Sequence, residues 1–212
     1  MDEQTRYVTQ YSVPESEALA WVRRQTNLRT NFAHMLSSPV QGALLTMLCR
    51  LIAAKKVLEL GTFTGYSTIC LAEGVGASGH VDTMEKNDEL LELVREGWSR
   101  AGVEDRITLW QGDCLHNIGL LPSDGVPYDL VYIDADKRSY CAYFNAVLPL
   151  VRRGGLILAD NTLWGGKVLE KPMPVDSQTR EIHRFNDLAA SCEKVEAVML
   201  PLRDGLTLLR VK

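Results

Sequence analysis

The chain has 212 residues, 46% hydrophobic and 24% charged, with a formal net charge of -4, which fits one soluble globular domain over residues 1–212 with a sizeable core. The acidic balance argues against a polyanion, nucleic acid above all, as the main partner. No run reaches the ~18 apolar residues of a membrane span, and the polar opening residues do not resemble a signal peptide, so the expectation is a cytoplasmic protein without membrane contact.

Residues 15–31 carry Leu19, Trp21, Val22 and Leu28 behind Pro14, which predicts an N-terminal helix outside the main sheet. A second helix is predicted over residues 38–52, where apolar side chains from Ala43 to Ile52 recur at spacings of three and four. From Lys56 onward the pattern alternates strand and helix, the signature of βαβ units and a mostly parallel sheet. Strands are predicted over residues 57–60, 80–85, 107–110, 128–133 and 156–159, with helices over 67–75, 87–102, 139–151 and 179–191 and a short one ahead of Leu121. Asn87 reads as a cap and Gly102 as a stop for one of them. The segment 161–178 is long enough to be a functional loop. Strands near 195–200 and 206–211 flank Arg203-Asp204-Gly205, a tight turn that predicts a hairpin and one antiparallel strand. Five cysteines, Cys49, Cys70, Cys114, Cys141 and Cys192, lie at wide spacings without a C-x-x-C pair and read as reduced thiols.

The stretch Val57-Leu58-Glu59-Leu60-Gly61-Thr62-Phe63-Thr64-Gly65-Tyr66-Ser67 joins an apolar strand to a glycine turn that opens a helix. Such a junction holds nucleotide-like ligands at the carboxyl end of a sheet. Its G-x-x-x-G spacing fits neither the G-x-G-x-x-G dinucleotide fingerprint nor the phosphate loop. Glu59 suits a cationic or hydroxyl-rich ligand better than a pyrophosphate. The other predicted strands add acids at the same edge: Glu85 after the second, Asp134 after the fourth, Asp160-Asn161 after the fifth. Glu85 follows Gly61 at close to the ~20-residue spacing of an acid that binds ribose hydroxyls. Asp134, Asp160 and Asn161 are three hard oxygen donors that suit a Mg²⁺-type ion, and Lys137 beside them is a candidate general base. An unliganded strand–turn–helix junction, solvated or capping carboxylates and a solvent-exposed lysine stay open on spacing alone, as do a nicotinamide dehydrogenase and a non-catalytic nucleotide-binding module.

Together these residues resemble the cation-dependent class I O-methyltransferases, the family of catechol and caffeoyl-CoA O-methyltransferases and their bacterial relatives. Three blocks carry the resemblance: residues 57–67 above, Tyr132-Ile133-Asp134-Ala135-Asp136-Lys137, and Ala159-Asp160-Asn161-Thr162-Leu163-Trp164-Gly165-Gly166-Lys167-Val168. Met35-Leu36-Ser37-Ser38-Pro39-Val40-Gln41-Gly42 and Asp204-Gly205-Leu206 agree in position, with Val40 where the family usually has an acid. The resemblance implies a Rossmann-like α/β fold: a mostly parallel seven-stranded sheet with one antiparallel strand, helices on both faces, N-terminal helices over 1–54 and an α/β core over 55–212. It implies S-adenosylmethionine with its methionine part near Ser37, Glu59, Gly61, Thr62 and Ser67, its ribose on Glu85, and its adenine near Cys114. It places Asp134 between cofactor and metal, completes the metal set with Asp160 and Asn161, and makes Lys137 the base. The implied cation is Mg²⁺, with Mn²⁺ and Ca²⁺ open. The implied reaction is O-methylation of a small catechol-like phenol by a homodimer, with Trp164 and the Gly165-Gly166 loop bordering the substrate pocket. Methylation of a hydroxylated tRNA nucleoside is the alternative within the same fold.

Overall fold

Along Lys56–Leu60, the first strand β1, Val57 and Glu59 face one side of the sheet, and Leu58 and Leu60 the other. The last four of these residues are buried, as expected of a strand covered by helices on both faces. In the computed structural model, which describes residues 3–121 and 125–212, β1 lies near the middle of a seven-stranded sheet. The others are β2 (His80–Glu85), β3 (Ile107–Gln111), β4 (Tyr128–Ile133), β5 (Val151–Asp160), β6 (Val195–Leu200) and β7 (Leu206–Val211). Their order is β3-β2-β1-β4-β5-β7-β6. β1 to β5 pair in parallel, while β7 runs antiparallel to both β5 and β6. The chain winds outward from β1 to β3, then returns to place β4 on the other side of β1. That reversal opens a crevice beyond the carboxyl ends of β1 and β4, where α/β sheets bind their ligands.

Helices α2 (Glu17–Arg29), α3 (Pro39–Leu51), α4 (Tyr66–Val75) and α5 (Leu91–Ala101) build the layer on the Val57 face. Helices α6 (Cys114–Ile118), α7 (Tyr140–Val147) and α8 (Ser177–Ser191) build the layer on the Leu58 face. α4 is buried almost all round because it lies between the sheet, α3 and α5, and Glu73 is the only charged residue in it. Ser38 caps α3 by accepting from the Gln41 amide, with Pro39 in the first turn. On the other layer Phe185 of α8 packs edge-on against Tyr140 and Phe144 of α7.

Several boundaries differ from the expectation, among them the end of the helix predicted over 139–151, where α7 stops at Val147. Glu3–Gln10 forms a helix, α1, that buries no residue; the predicted helix over 15–31 begins only at Glu17, capped by Ser16. Asn87 does not cap α5: its side chain accepts from the Glu89 amide in a local turn, and the helix starts at Leu91. β5 begins five residues early, at Val151, because the Arg153-Gly154-Gly155 turn is absorbed as an irregularity within the strand, with Gly154 at φ 74 and a register shift against β4.

Candidate active site

The turn after β1 is shaped by close backbone approach. Gly61 has φ 100, and a Cβ there would stand 2.1 Å from the Asp134 carbonyl oxygen, so only glycine lets the ends of β1 and β4 meet. The Asp134 amide bonds to the Leu60 carbonyl at 2.8 Å, and the Gly61 and Thr62 amides both reach Met84 O. Glu85 holds the turn from the side: Oε2 accepts from Phe63 N at 2.7 Å and Oε1 from Asn87 N at 2.8 Å. Around the turn a pocket is lined by residues 35–37, 61–64, Tyr66, Ser67 and Asp134. Of the expected cofactor residues, it therefore brings together Ser37, Gly61, Thr62, Ser67 and Asp134. Glu85 and Cys114 are not in its lining; Cys114 starts α6 as a buried thiol, pushed up to about 12 by burial and by the charges of Glu85 and Asp113.

Glu59 is not at the mouth of this pocket but beneath it, fully buried. Its Oε2 accepts from Thr68 of α4 at 2.5 Å and from Thr83 of β2 at 2.6 Å. Since Thr83 spends its only proton on Glu59, Thr62 is the donor in the 2.6 Å contact between the two threonines. Glu59 Oε1 has no hydrogen-bond partner. Burial raises the carboxyl to about 7, against the pull of the Ser67, Thr68 and Thr83 hydroxyls. A buried carboxylate oxygen without a protein partner is a place where a donor group can bind.

Across the crevice stand the carboxylates of β4 and β5. Asp160, 4% exposed, accepts at Oδ2 from Gln41 Nε2 at 2.7 Å and from Tyr132 OH at 3.0 Å, and at Oδ1 from Asn161 N at 2.8 Å. Gln41 also reaches the Tyr132 hydroxyl at 2.9 Å. Asp134 accepts from Lys137 Nζ at 2.7 Å. Its carboxyl is raised to about 6, chiefly by burial; the Lys137 charge draws it down and the Asp160 charge pushes it up. Lys137, itself buried, donates a second bond to Tyr140 OH at 2.8 Å, and that hydroxyl donates onward to the Asp160 carbonyl at 2.8 Å. The directions are forced, because an ammonium only donates and a carbonyl only accepts. Asn161, at φ 58, gives its amide nitrogen to Asp204 Oδ2 at 3.3 Å, which leaves the amide oxygen as its donor atom for a cation. Among the described residues no three His, Cys, Asp or Glu side chains form a group that could hold a metal ion.

Trp164, expected at the substrate pocket, opens a short 3₁₀ helix (Trp164–Leu169) and packs against the layer of α7 and α8. Lys167 stands over its ring at 5.8 Å. Gln41, Tyr132, Tyr140 and Arg203 are partners of this site that residue spacing did not single out. The one sequence signal for Tyr132 is a hydroxyl between Val131 and Ile133, two residues before Asp134.

A mixed sheet with this strand order, one reversed strand and a pocket at its switch point defines a Rossmann-like methyltransferase fold. The chain belongs to the O-methyltransferase family, whose model matches residues 9–212. It is 38% identical over 183 residues to caffeoyl-CoA O-methyltransferase 1 of Eucalyptus globulus, covering 83% of this chain and 74% of that protein. Among solved structures it superimposes on the O-methyltransferase TomG from Streptomyces achromogenes, involved in tomaymycin synthesis and solved in complex with SAM. The TM-score is 0.90 with 31% identity, covering all of both chains. The O-methyltransferase from Bacillus cereus, solved with SAH, gives a TM-score of 0.89 with 32% identity over 98% of this chain and 96% of that one.

Proposed function

We propose that this O-methyltransferase moves the methyl group of S-adenosylmethionine to a hydroxyl of a small phenol with vicinal oxygens, with a divalent cation held by Asp134, Asp160 and Asn161. The observation that carries it is the uncommitted, buried Glu59 Oε1 beneath a pocket whose wall, Asp134, is also one of the acidic pair. Glu59 fits the ammonium of the cofactor's methionine part, with Ser37, Gly61, Thr62 and Ser67 around it; Glu85 then serves the ribose and Cys114 borders the adenine. Support for the cofactor comes from the two bacterial relatives solved with SAM and SAH. Support for a vicinal-oxygen acceptor comes from the plant relatives, named for caffeoyl-CoA, a catechol-bearing thioester.

Two carboxylates and one amide oxygen form a hard-oxygen set of the kind that binds Mg²⁺, with Mn²⁺ and Ca²⁺ sharing that chemistry. The push of Asp160 on Asp134 is the repulsion a bound cation relieves. When bound, the cation would lower the pKa of an acceptor hydroxyl and fix both vicinal oxygens. Gln41 and Tyr132 hold the Asp160 carboxylate in one orientation. Lys137, held by Asp134 and Tyr140, is the group placed to take the acceptor's proton or to hold its oxyanion with the N–H those two partners do not use. The test is methyl transfer from S-adenosylmethionine to a catechol before and after chelation, with Mg²⁺ added back. Activity is expected to vanish and return; full activity after chelation removes the metal from the scheme. Thermal stabilisation by S-adenosylhomocysteine and not by NAD tests the cofactor separately.

A further inference from the structure

The turn between β6 and β7 does more than reverse the chain. Arg203 sits in it at φ 51, a left-handed conformation that costs a side chain with a Cβ and persists only where surrounding contacts hold it. Its guanidinium reaches the segment ahead of α3, donating from Nη1 to Leu36 O at 2.7 Å and from Nη2 to His34 O at 3.4 Å, with Nη1 also 3.5 Å from Gln41 Oε1. The next residue, Asp204, faces the opposite way. Its carboxylate accepts from Gly165 N and from Asn161 Nδ2, and its carbonyl from Leu163 N at 2.8 Å. One hairpin tip thus fastens the two loops that flank the crevice. The first of them depends on it most: the short 3₁₀ helix Ala33–Met35 buries no residue, and Phe32 and Met35 are exposed. Leu36 and Ser37 are buried, Leu36 within the core of the α2–α5 layer, so the two carbonyl bonds from Arg203 add to packing in fixing residues 35–37, one wall of the pocket.

We propose that Arg203 is a positioning residue for cofactor binding: by capping the carbonyls of His34 and Leu36 it holds residues 35–37 in place as a wall of the cofactor pocket. This rests on the reading that the pocket holds S-adenosylmethionine. The discriminating variant is Arg203→Gly, because glycine adopts φ 51 without strain, so losing the guanidinium need not cost the fold. Its thermal midpoint is expected to equal or exceed that of the native protein. Its Kd for S-adenosylhomocysteine, read by calorimetry, is expected to rise about ten-fold, the scale of one lost hydrogen bond to a charged group, with faster amide exchange confined to residues 34–37. Arg203→Lys, which keeps the charge but not the planar fork, is expected to recover only part of the affinity. Native affinity and native exchange in Arg203→Gly overturn the proposal, and so does a loss of affinity that merely follows a lowered midpoint. Glu59→Gln run alongside keeps the two ideas apart. If it binds S-adenosylhomocysteine like the native protein, or the native protein does not bind it, the pocket itself is misplaced and the proposal falls with it. If Glu59→Gln binds weakly while Arg203→Gly binds normally, only the positioning role is lost.

Discussion

Replacing Glu59 by glutamine removes a charge and almost no volume from a fully buried position, which separates ligand recognition from packing. Native Oε2 accepts from Thr68 and Thr83, and Oε1 is unpaired. A glutamine keeps the first role through its amide oxygen and sets an NH₂ group where Oε1 stands. An ammonium arriving there forfeits a charge-assisted hydrogen bond of roughly 1.5–3 kcal/mol and meets a donor instead. Affinity for S-adenosylhomocysteine is therefore expected to fall about 10- to 100-fold in titration calorimetry. Stability moves the other way. Burial raises the native carboxyl from 4.5 to about 7, so the folded chain keeps a proton that the unfolded chain releases in that interval. Native stability is fullest below about pH 4.5 and declines as pH rises toward 7, by on the order of 3 kcal/mol from this group. Glu59→Gln lacks that slope and is expected to be the more stable protein at pH 8, measured by urea unfolding. Binding an ammonium favours the ionised carboxyl, so the native protein releases up to about half a proton at pH 7, visible as a dependence of binding heat on the buffer's ionisation enthalpy. Unchanged affinity in the variant, or native binding without proton release, refutes the placement of the ammonium at Glu59.

Gly61→Ala forces a Cβ into the Asp134 carbonyl at φ 100; a loss of about 3 kcal/mol or more in urea unfolding is expected, and near-native stability means the two strand ends do not meet this closely. Tyr140→Phe strips Lys137 of one acceptor and leaves the Asp160 carbonyl without its 2.8 Å donor. The expected outcome is a loss of about 1–3 kcal/mol in stability and a lower kcat with unchanged S-adenosylhomocysteine affinity; an unchanged kcat removes Tyr140 from the positioning of Lys137. Phe185→Ala empties a fully buried site between Tyr140 and Phe144, costing about 3–5 kcal/mol, with a thermal midpoint as the check.

The parallel strands and the helices between them were legible because each buries a regular face: period two or continuous apolar runs in the strands, spacings of three and four in the helices. α1 escaped because it is a short, mostly polar segment, Glu3–Gln10, that buries no residue and has only Tyr7 and Val8 as large apolar side chains. The early start of β5 was masked by Gly154-Gly155, which reads as a turn, although Gly155 in fact lets the strand pass close to Asp129 O. Glu59, Asp134 and Asp160 were legible as carboxylates at strand ends, where the fold rule puts ligands. Their partners were not. Gln41 meets Tyr132 across 91 positions and Asp160 across 119, and Arg203 meets Leu36 across 167. A single polar side chain at such separation carries no local pattern. The depth of Glu59 was hidden as well: strand periodicity gives the face a side chain points to, and only the packing of α4 and β2 around it turns a strand-end acid into a buried one.

The two halves of the site are tied together by the sheet itself. Asp134 N bonds to Leu60 O, the Gly61 turn closes against the Asp134 carbonyl, and β1 and β4 stay in register to Leu60 opposite Ile133. The residues around the pocket and the first acidic side chain therefore hang on two adjacent strand ends, while Asp160 is one strand further along the same ladder. Reaction geometry set by hydrogen-bonded strands is stiffer than geometry set by loops, and a transfer that needs donor and acceptor in line gains most from that stiffness. The loops at 34–37 and 161–169 flank that centre, and the Arg203–Asp204 hairpin tip, hydrogen-bonded to both, ties them to the sheet.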